Sequence, residues 1–218
     1  EHYNYLYEHL MSLPEADRHK TAAYASMDDP LAMGAANGLK AKLEAAGVET
    51  LVDEIYPPNT TDFSGIAAQL ASADADLLVG GTQYQDAVNM ILAVRQLGYQ
   101  PRMAAFTTAP TLAEFVEAIG AENVDGIMAP TGYSPATDYE GNANFVKMVQ
   151  EKNGREPSED EANAYTVGQV VKAAVEAVGC AEQGECQQQL IDWLHSNEVE
   201  TVVGPLTWDE TGKPQGAH

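Results

Sequence analysis

The sequence predicts an α/β fold of three layers: a doubly wound, mainly parallel sheet with helices on both faces. Two observations carry that expectation. Short apolar runs recur and each stops at a small or polar loop: KTAAYASMDDP near Lys20, ADLLVGGTQYQD near Asp76, RMAAFTTAP from Arg102 and VDGIMAPTGYSP from Val124. Between them lie stretches with helical spacing of apolar residues. Strands alternating with helical patterns imply βαβ units and a parallel sheet. In such sheets ligands bind outside the carboxyl ends of the strands, so those loops are where function is sought.

The elements follow in order. Leu6, Leu10 and Leu13 are spaced for a helix over 3–13, and a charged loop covers 14–19. Residues 21–26, mostly alanine with Tyr24, form a first strand. A helix over 31–46 stops at Gly47. A second strand over 48–56 is cut by Pro57 and Pro58. Thr61 or Asp62 caps a helix containing Ile66 and Leu70. Leu77, Leu78 and Val79 centre a third strand over 76–80. A helix with Val88, Ile91, Leu92 and Arg95 runs to Gly98. A fourth strand spans 103–106, Thr111 caps the next helix, and a fifth strand covers 124–129. The pattern then turns helical, over 142–153, 159–178 and 186–194. Ser158 and Glu161 form a capping box for the second of these. The tail TVVGPLTWDETGKP reads as two short strands around a turn at 210–212.

The chain has 218 residues and is 44% hydrophobic, enough for one large α/β domain. No apolar run approaches the roughly 20 residues that span a bilayer. It begins at Glu1, which reads as a processed or truncated chain, with a signal peptide removed. Thirty-three acidic residues against 11 basic ones give a net charge of −22. That balance opposes nucleic acid and anionic membrane surfaces as partners and reads as an acidic, solubilising surface or a high-salt habitat.

Cys180 and Cys186 lie close together in CAEQGEC. No nearby His completes a metal site, and a redox centre favours C-x-x-C. A disulfide closing the Gly184 loop, implying an oxidising compartment, is favoured over two reduced thiols. Asp28 and Asp29 end the first strand, where paired carboxylates hold Mg²⁺ in phosphoacceptor receiver domains. Gly80 and Gly81 stand where an acceptor Asp is required there, and Ala129 and Pro130 where a Lys is. The acids therefore read as loop residues near a cleft or as a helix cap. GGTQYQ is not G-x-G-x-x-G, and Walker-A, G-x-S-x-G and H-E-x-x-H patterns are absent. His2, His9, His19, His195 and His218 are scattered and read as surface residues. No catalytic constellation, metal site or cofactor is expected.

What remains at the strand ends is small, hydroxyl-bearing or aromatic: Met27, Gly81, Thr82, Gln83, Tyr84, Thr107, Thr108, Thr131 and Tyr133, beside Asp28. Hydroxyls and backbone amides suit a small carboxylate or ammonium compound. Tyr84 and Tyr133 offer an apolar wall with a hydrogen-bonding tip.

The order of segments resembles the second lobe of type I periplasmic solute-binding proteins of ABC importers, in the branched-chain amino-acid subgroup. The segments that carry the resemblance are DDPLAMGAANGLKAKLEAAGVE, YPPNTTDFSGIAAQL, DLLVGGTQYQDAVNMILAVRQLGY, ANAYTVGQVVKAAVEAVG and TVVGPLTWDETGKPQG, together covering about residues 3–216. The resemblance implies two lobes closing on a ligand, with 1–218 the second lobe, lacking the first lobe and a final crossover strand. It implies a non-enzymatic, periplasmic or extracellular binding protein whose partners are a small amino-acid-like ligand, a membrane permease and its own first lobe. A sensory receptor domain uses the same fold and is the alternative; an enzyme is the remoter one. The family's aromatic after the first strand corresponds to Leu31, and its tyrosine after the third to Thr82, with Tyr84 near. The acid that holds an ammonium group falls near Thr108 or Ala109, and neither is acidic. These residues permit another small amphiphile, such as an aromatic acid or amide. Tyr133 matches a position where relatives place an aromatic near the cleft.

Overall fold

A computed structural model describes residues 3–216, except 108, 181–183 and 185. The chain divides into two compact units, Glu1–Pro130 and Thr131–His218.

The first unit is a five-stranded parallel sheet between two helical layers. β1 (Thr21–Met27), β2 (Glu49–Tyr56), β3 (Leu77–Gly81), β4 (Met103–Phe106) and β5 (Ile127–Met128) lie in the order β2-β1-β3-β4-β5. The order reverses between β1 and β3, the topological switch point where open α/β sheets bind ligands. Successive side chains of β1 point to opposite faces. Ala23, Ala25 and Met27 pack on one side with Phe63, Ile66 and Leu70 of the α3 (Ser64–Ala73) region, and with Ala87 and Ile91 of α4 (Tyr84–Gln96) and Phe115 of α5 (Ala113–Ile119). Ala22 and Tyr24 pack on the other, with Leu6 and Leu10 of α1 (Asn4–Ser12) and Leu39 and Leu43 of α2 (Pro30–Ala45). Alanine dominates β1 because both of its faces are covered. This is the expected three-layer, doubly wound architecture.

Local chemistry sets the boundaries. Asp29 is the N-cap of α2: its Oδ1 accepts from the amides of Leu31 at 2.9 Å and Ala32 at 3.1 Å. Pro30 takes the first helical position, where its missing N–H costs nothing. Gly47, with φ of 87°, turns the chain into β2. Asp76 Oδ2 accepts from the amides of Lys20 and Thr21, while Thr21 Oγ1 accepts from the Asp76 amide, which locks the starts of β1 and β3 together.

Four expectations are corrected. The helix at 113 starts after an extended Leu112, and Thr111 instead belongs to a short 3-10 turn, Ala109–Thr111. Asp62 Oδ1 accepts from the Ser64 amide at 2.9 Å, but Phe63 occupies the N-cap position of α3. The fifth strand shrinks to two residues, because Ala121–Asn123 coils into a 3-10 turn and Gly126 sits at φ of 78°. Among the histidines, His9 and His195 are exposed as expected, whereas His19 is 6% exposed. Neither of its ring nitrogens has a hydrogen-bond partner among the described residues. His2 and His218 lie outside those residues.

The second unit holds α6 (Asn142–Asn153), α7 (Glu159–Val178), α8 (Gln187–Ser196) and the antiparallel pair β6 (Thr207–Trp208) and β7 (Pro214–Gln215). The capping box of α7 is present, with both Ser158 and Glu161 bonded reciprocally. Hydrogen bonds from Arg155 and from the Ser158 amide hold the Glu161 carboxyl down to about 2. The turn expected at 210–212 is closed by Asp209, whose Oδ1 accepts from the amides of Thr211 and Lys213. Cys180 and Cys186 form a disulfide, with their Cα atoms 6.0 Å apart, tying the end of α7 to the start of α8. The core of this unit is small: Tyr133, Phe145, Val149, Ala162 and Val202.

Two predictions follow from these termini and this histidine. Ser158→Ala removes the α7 cap and lowers unfolding free energy by about 1 kcal/mol, read from urea denaturation of the second unit's signal. Burial, with Arg102 adding, lowers the His19 pKa from 6.5, outweighing the opposing pull of Asp76. The unfolded chain therefore takes up the proton first, so stability is complete above pH 6.5 and falls as pH drops toward the folded-state value. His19→Leu flattens that part of the urea-midpoint profile between pH 7.5 and 5.5; an unchanged slope contradicts the assignment.

Candidate functional site: the strand ends of the first unit

The switch point lies between the ends of β1 and β3, and two helices begin there. β3 ends in Gly80 and Gly81, and neither position has room for a side chain. A Cβ on Gly80 would lie 2.4 Å from the Phe106 ring, and one on Gly81 would lie 2.6 Å from the Ala32 carbonyl oxygen. The missing side chains let the first turn of α2 settle directly on the sheet.

The sequence-chosen residues are then placed as follows. Met27 is 3% exposed and packs into the core, so its side chain faces protein. Asp28 is exposed, and its amide donates to the Tyr56 carbonyl at 2.8 Å. Leu31, in the first turn of α2, is 81% exposed. Thr82 is buried, and its hydroxyl has no partner among the described residues. The Thr107 hydroxyl donates to the Thr82 carbonyl, joining the loops after β3 and β4. Gln83 is exposed at the N-cap position of α4. Tyr84 turns away: its hydroxyl donates to the Glu114 carbonyl at 2.9 Å and its ring meets Phe115 edge-on. Thr108 lies outside the described residues. Tyr133 belongs to the second unit, where its hydroxyl donates to Asn142 Oδ1 at 2.8 Å. Asn142 in turn donates to the Pro135 and Thr137 carbonyls. Burial pushes the Tyr133 phenol up to about 12.

The structure thus gathers Asp28, Leu31, Thr82, Gln83 and Thr107 on adjacent loops of one sheet end. A groove of about 340 Å³ between α3 and α4, lined by Phe63, Asn89, Leu92 and Leu97, contains none of them. The strand ends are the better candidate, because the exposed Asp28, Leu31 and Gln83 meet there at the topological reversal.

One residue of this region escaped the sequence reading. Asp86, in the first turn of α4, is 8% exposed and accepts from the Tyr56 hydroxyl at 3.3 Å. Tyr56 ends β2, so this bond reaches across the end of β1 and holds the loops carrying Asp28 and Gln83 in register. The Tyr56 ring is braced edge-on by Phe63, 5.1 Å away. No ion pair among the described residues involves Asp86. Burial raises its carboxyl above the usual range, against the lowering pull of the Gln83 amide and the Tyr56 hydroxyl. Its position three residues after Gln83 is the capping spacing that could have drawn attention to it. Among the described residues, no group of three or more His, Cys, Asp or Glu is placed to hold a metal.

Residues 6–217 match the family model described as Periplasmic binding protein. The chain belongs to the periplasmic binding protein family. A Leu/Ile/Val-binding protein homolog 1 of Brucella abortus is 27% identical over 202 residues, 91% of this chain and 52% of that protein. A leucine-binding protein of Thermotoga maritima shares the fold at a TM-score of 0.79 and 20% identity, over 95% of this chain and 58% of that one. A Rhodopseudomonas palustris solute-binding protein, solved in complex with benzoate, shares it at 0.75 and 20% identity, over 90% and 53%. The chain spans about half the length of the curated relatives it matches. These relatives are named as binding proteins rather than as enzymes, as is the family itself.

The raised Asp86 pKa has a measurable sign. The folded state holds the Asp86 proton more tightly than the unfolded one, so its contribution to stability is greatest at low pH and is lost as pH rises through the folded value. Asp86→Asn imitates the neutral acid and keeps both hydrogen bonds within reach. It is expected to raise the urea midpoint at pH 7, with the gain shrinking toward pH 3; a loss at pH 7 contradicts the account.

Proposed function

We propose that residues 1–218 form the second lobe of a two-lobed, extracytoplasmic solute-binding protein, which delivers an amino-acid-like ligand to the membrane permease of an ABC importer. The observation that carries this reading is the exposure of Leu31 beside Asp28 and Gln83 at the sheet's switch point, in a chain whose family binds ligands. An 81% exposed leucine at the start of a helix, next to amides and polar side chains, is suited to close over an apolar side chain when a facing lobe arrives. The other lobe supplies the facing wall, and hinge closure is the signal the permease reads.

The ligand class follows from the same residues. Leu31 stands where the family's resemblance places an aromatic, which favours an aliphatic amino acid such as leucine, in line with the names of the curated relatives. A second class, a small aromatic carboxylate, is favoured by the benzoate complex of a structural relative. It also fits the lack of an acid at Ala109 to hold an ammonium group. An extracytoplasmic location agrees with the Cys180–Cys186 disulfide.

Calorimetry of the two-lobed protein with leucine and with benzoate tests the reading; heat from neither would defeat it. Leu31→Ala is expected to weaken binding by about tenfold, roughly the 1.5 kcal/mol of one buried aliphatic side chain. The urea midpoint should stay unchanged, because the residue is exposed in the lobe alone.

A further inference from the structure

The groove between α3 and α4 plays no part in the ligand reading, since it contains none of the strand-end residues. Its volume is about 340 Å³. Phe63, 3% exposed, and the fully buried Ala67 lie deepest in it, and Leu92 and Leu97 give it apolar walls. Leu97, at the C-terminal end of α4, stands 54% exposed.

The helices that frame this groove are short of charge. One residue in five of the chain is charged, with 33 acids against 11 bases. At that frequency helices of this length would show several charges to solvent. α3, ten residues long, has none. α4, thirteen residues long, has two, and both are engaged elsewhere. Asp86 is buried against the Tyr56 hydroxyl. The Arg95 guanidinium donates to the carbonyls of Tyr99, Asn123 and Asp125. Asp62 is the one acid in the lining, and its Oδ1 accepts from the Ser64 amide.

The missing charge says what kind of partner fits. A basic partner would be drawn to the acidic remainder of the surface, and nucleic acid or an anionic membrane would be repelled by it. Like charges set against each other across an interface carry a large penalty. A face cleared of carboxylates is therefore what a partner as acidic as this chain requires, and a second copy has that charge, −22, by construction. The face also carries both halves of a contact, the exposed Leu97 and a groove that can receive it. Under a two-fold axis each copy presents the same patch to the other.

We propose that the α3–α4 face is a dimer interface, in which Leu97 of each copy enters the other's groove beside Ala68 and Leu92. Two helices side by side and about 20 Å long present a face about 20 Å wide. Each copy then buries on the order of 400 Å², at the low end for specific association, so the dimer is weak and reversible. The proposal is independent of the ligand assignment and holds with or without leucine.

Sedimentation equilibrium of the full-length polypeptide, from micromolar to near-millimolar concentrations, tests it. The expected result is a monomer–dimer equilibrium that tightens about threefold when NaCl rises from about 0.05 to 0.5 M, because salt screens the repulsion between two acidic bodies. Ala68→Glu sets a carboxylate of each copy into the interface and is expected to weaken the dimer at least tenfold. Ala68 is exposed, so the urea midpoint of that variant stays at the parent value. Gln150→Glu adds the same charge to the exposed side of α6 and is expected to leave the dimer unchanged. A monomeric mass at every concentration overturns the proposal. So does a dimer that Ala68→Glu leaves intact, or one that salt dissociates, since either would assign the association to another face.

Discussion

The first unit depends on how closely α2 and Phe106 approach the end of β3. Two successive glycines are needed for it, since a methyl group at either would sit inside another atom's radius. That contact places the α2 amides and the exposed Leu31 at the switch point. Beside it the Thr82 hydroxyl is buried without a partner among the described residues. A buried hydroxyl left unbonded costs on the order of 1–3 kcal/mol, a burden the well-packed sheet carries at the place where a ligand is expected. The Tyr56–Asp86 bond performs the complementary task from the other side, bridging β2 to α4 across the end of β1. The Asp86 carboxyl, in no ion pair among the described residues, is held there by that bond and by the Gln83 amide.

Most of this unit was legible in the amino-acid order. The mostly alanine run of β1 and the fully apolar LLV of β3 were read as strands and are strands; of the two readings left open for Asp29, loop acid or helix cap, the structure shows the cap. The failures have physical causes too. β5 looked long because Val124, Ile127 and Met128 fall in one short run, yet Gly126 takes a positive φ and only two residues pair. His19 looked like any scattered histidine, since nothing in its immediate neighbours signals that tertiary packing will bury its ring. Asp86 was passed over because its significance comes from Tyr56, thirty residues earlier, and a long-range hydrogen bond leaves no local trace.

The candidate site was legible in position more than in detail. The rule that ligands sit beyond strand ends directed attention to the loops after β1, β3 and β4, and Asp28, Leu31, Thr82, Gln83 and Thr107 are gathered there. Side-chain direction was another matter. Met27 faces the core and Tyr84 bonds to α5, outcomes decided by packing that the order of residues does not encode. Tyr133, selected as an aromatic for the cleft, anchors a loop through Asn142, so its hydroxyl is already engaged within the second unit.

The sheet's two margins are guarded in different ways. β2, at one margin, carries the exposed acids Glu49 and Asp53, and β5, at the other, pairs through only two residues. Strand edges are where foreign chains add by backbone hydrogen bonding, and charge or brevity at an edge discourages that. With carboxylates along one margin and almost no strand on the other, this sheet offers little template for growth into aggregates.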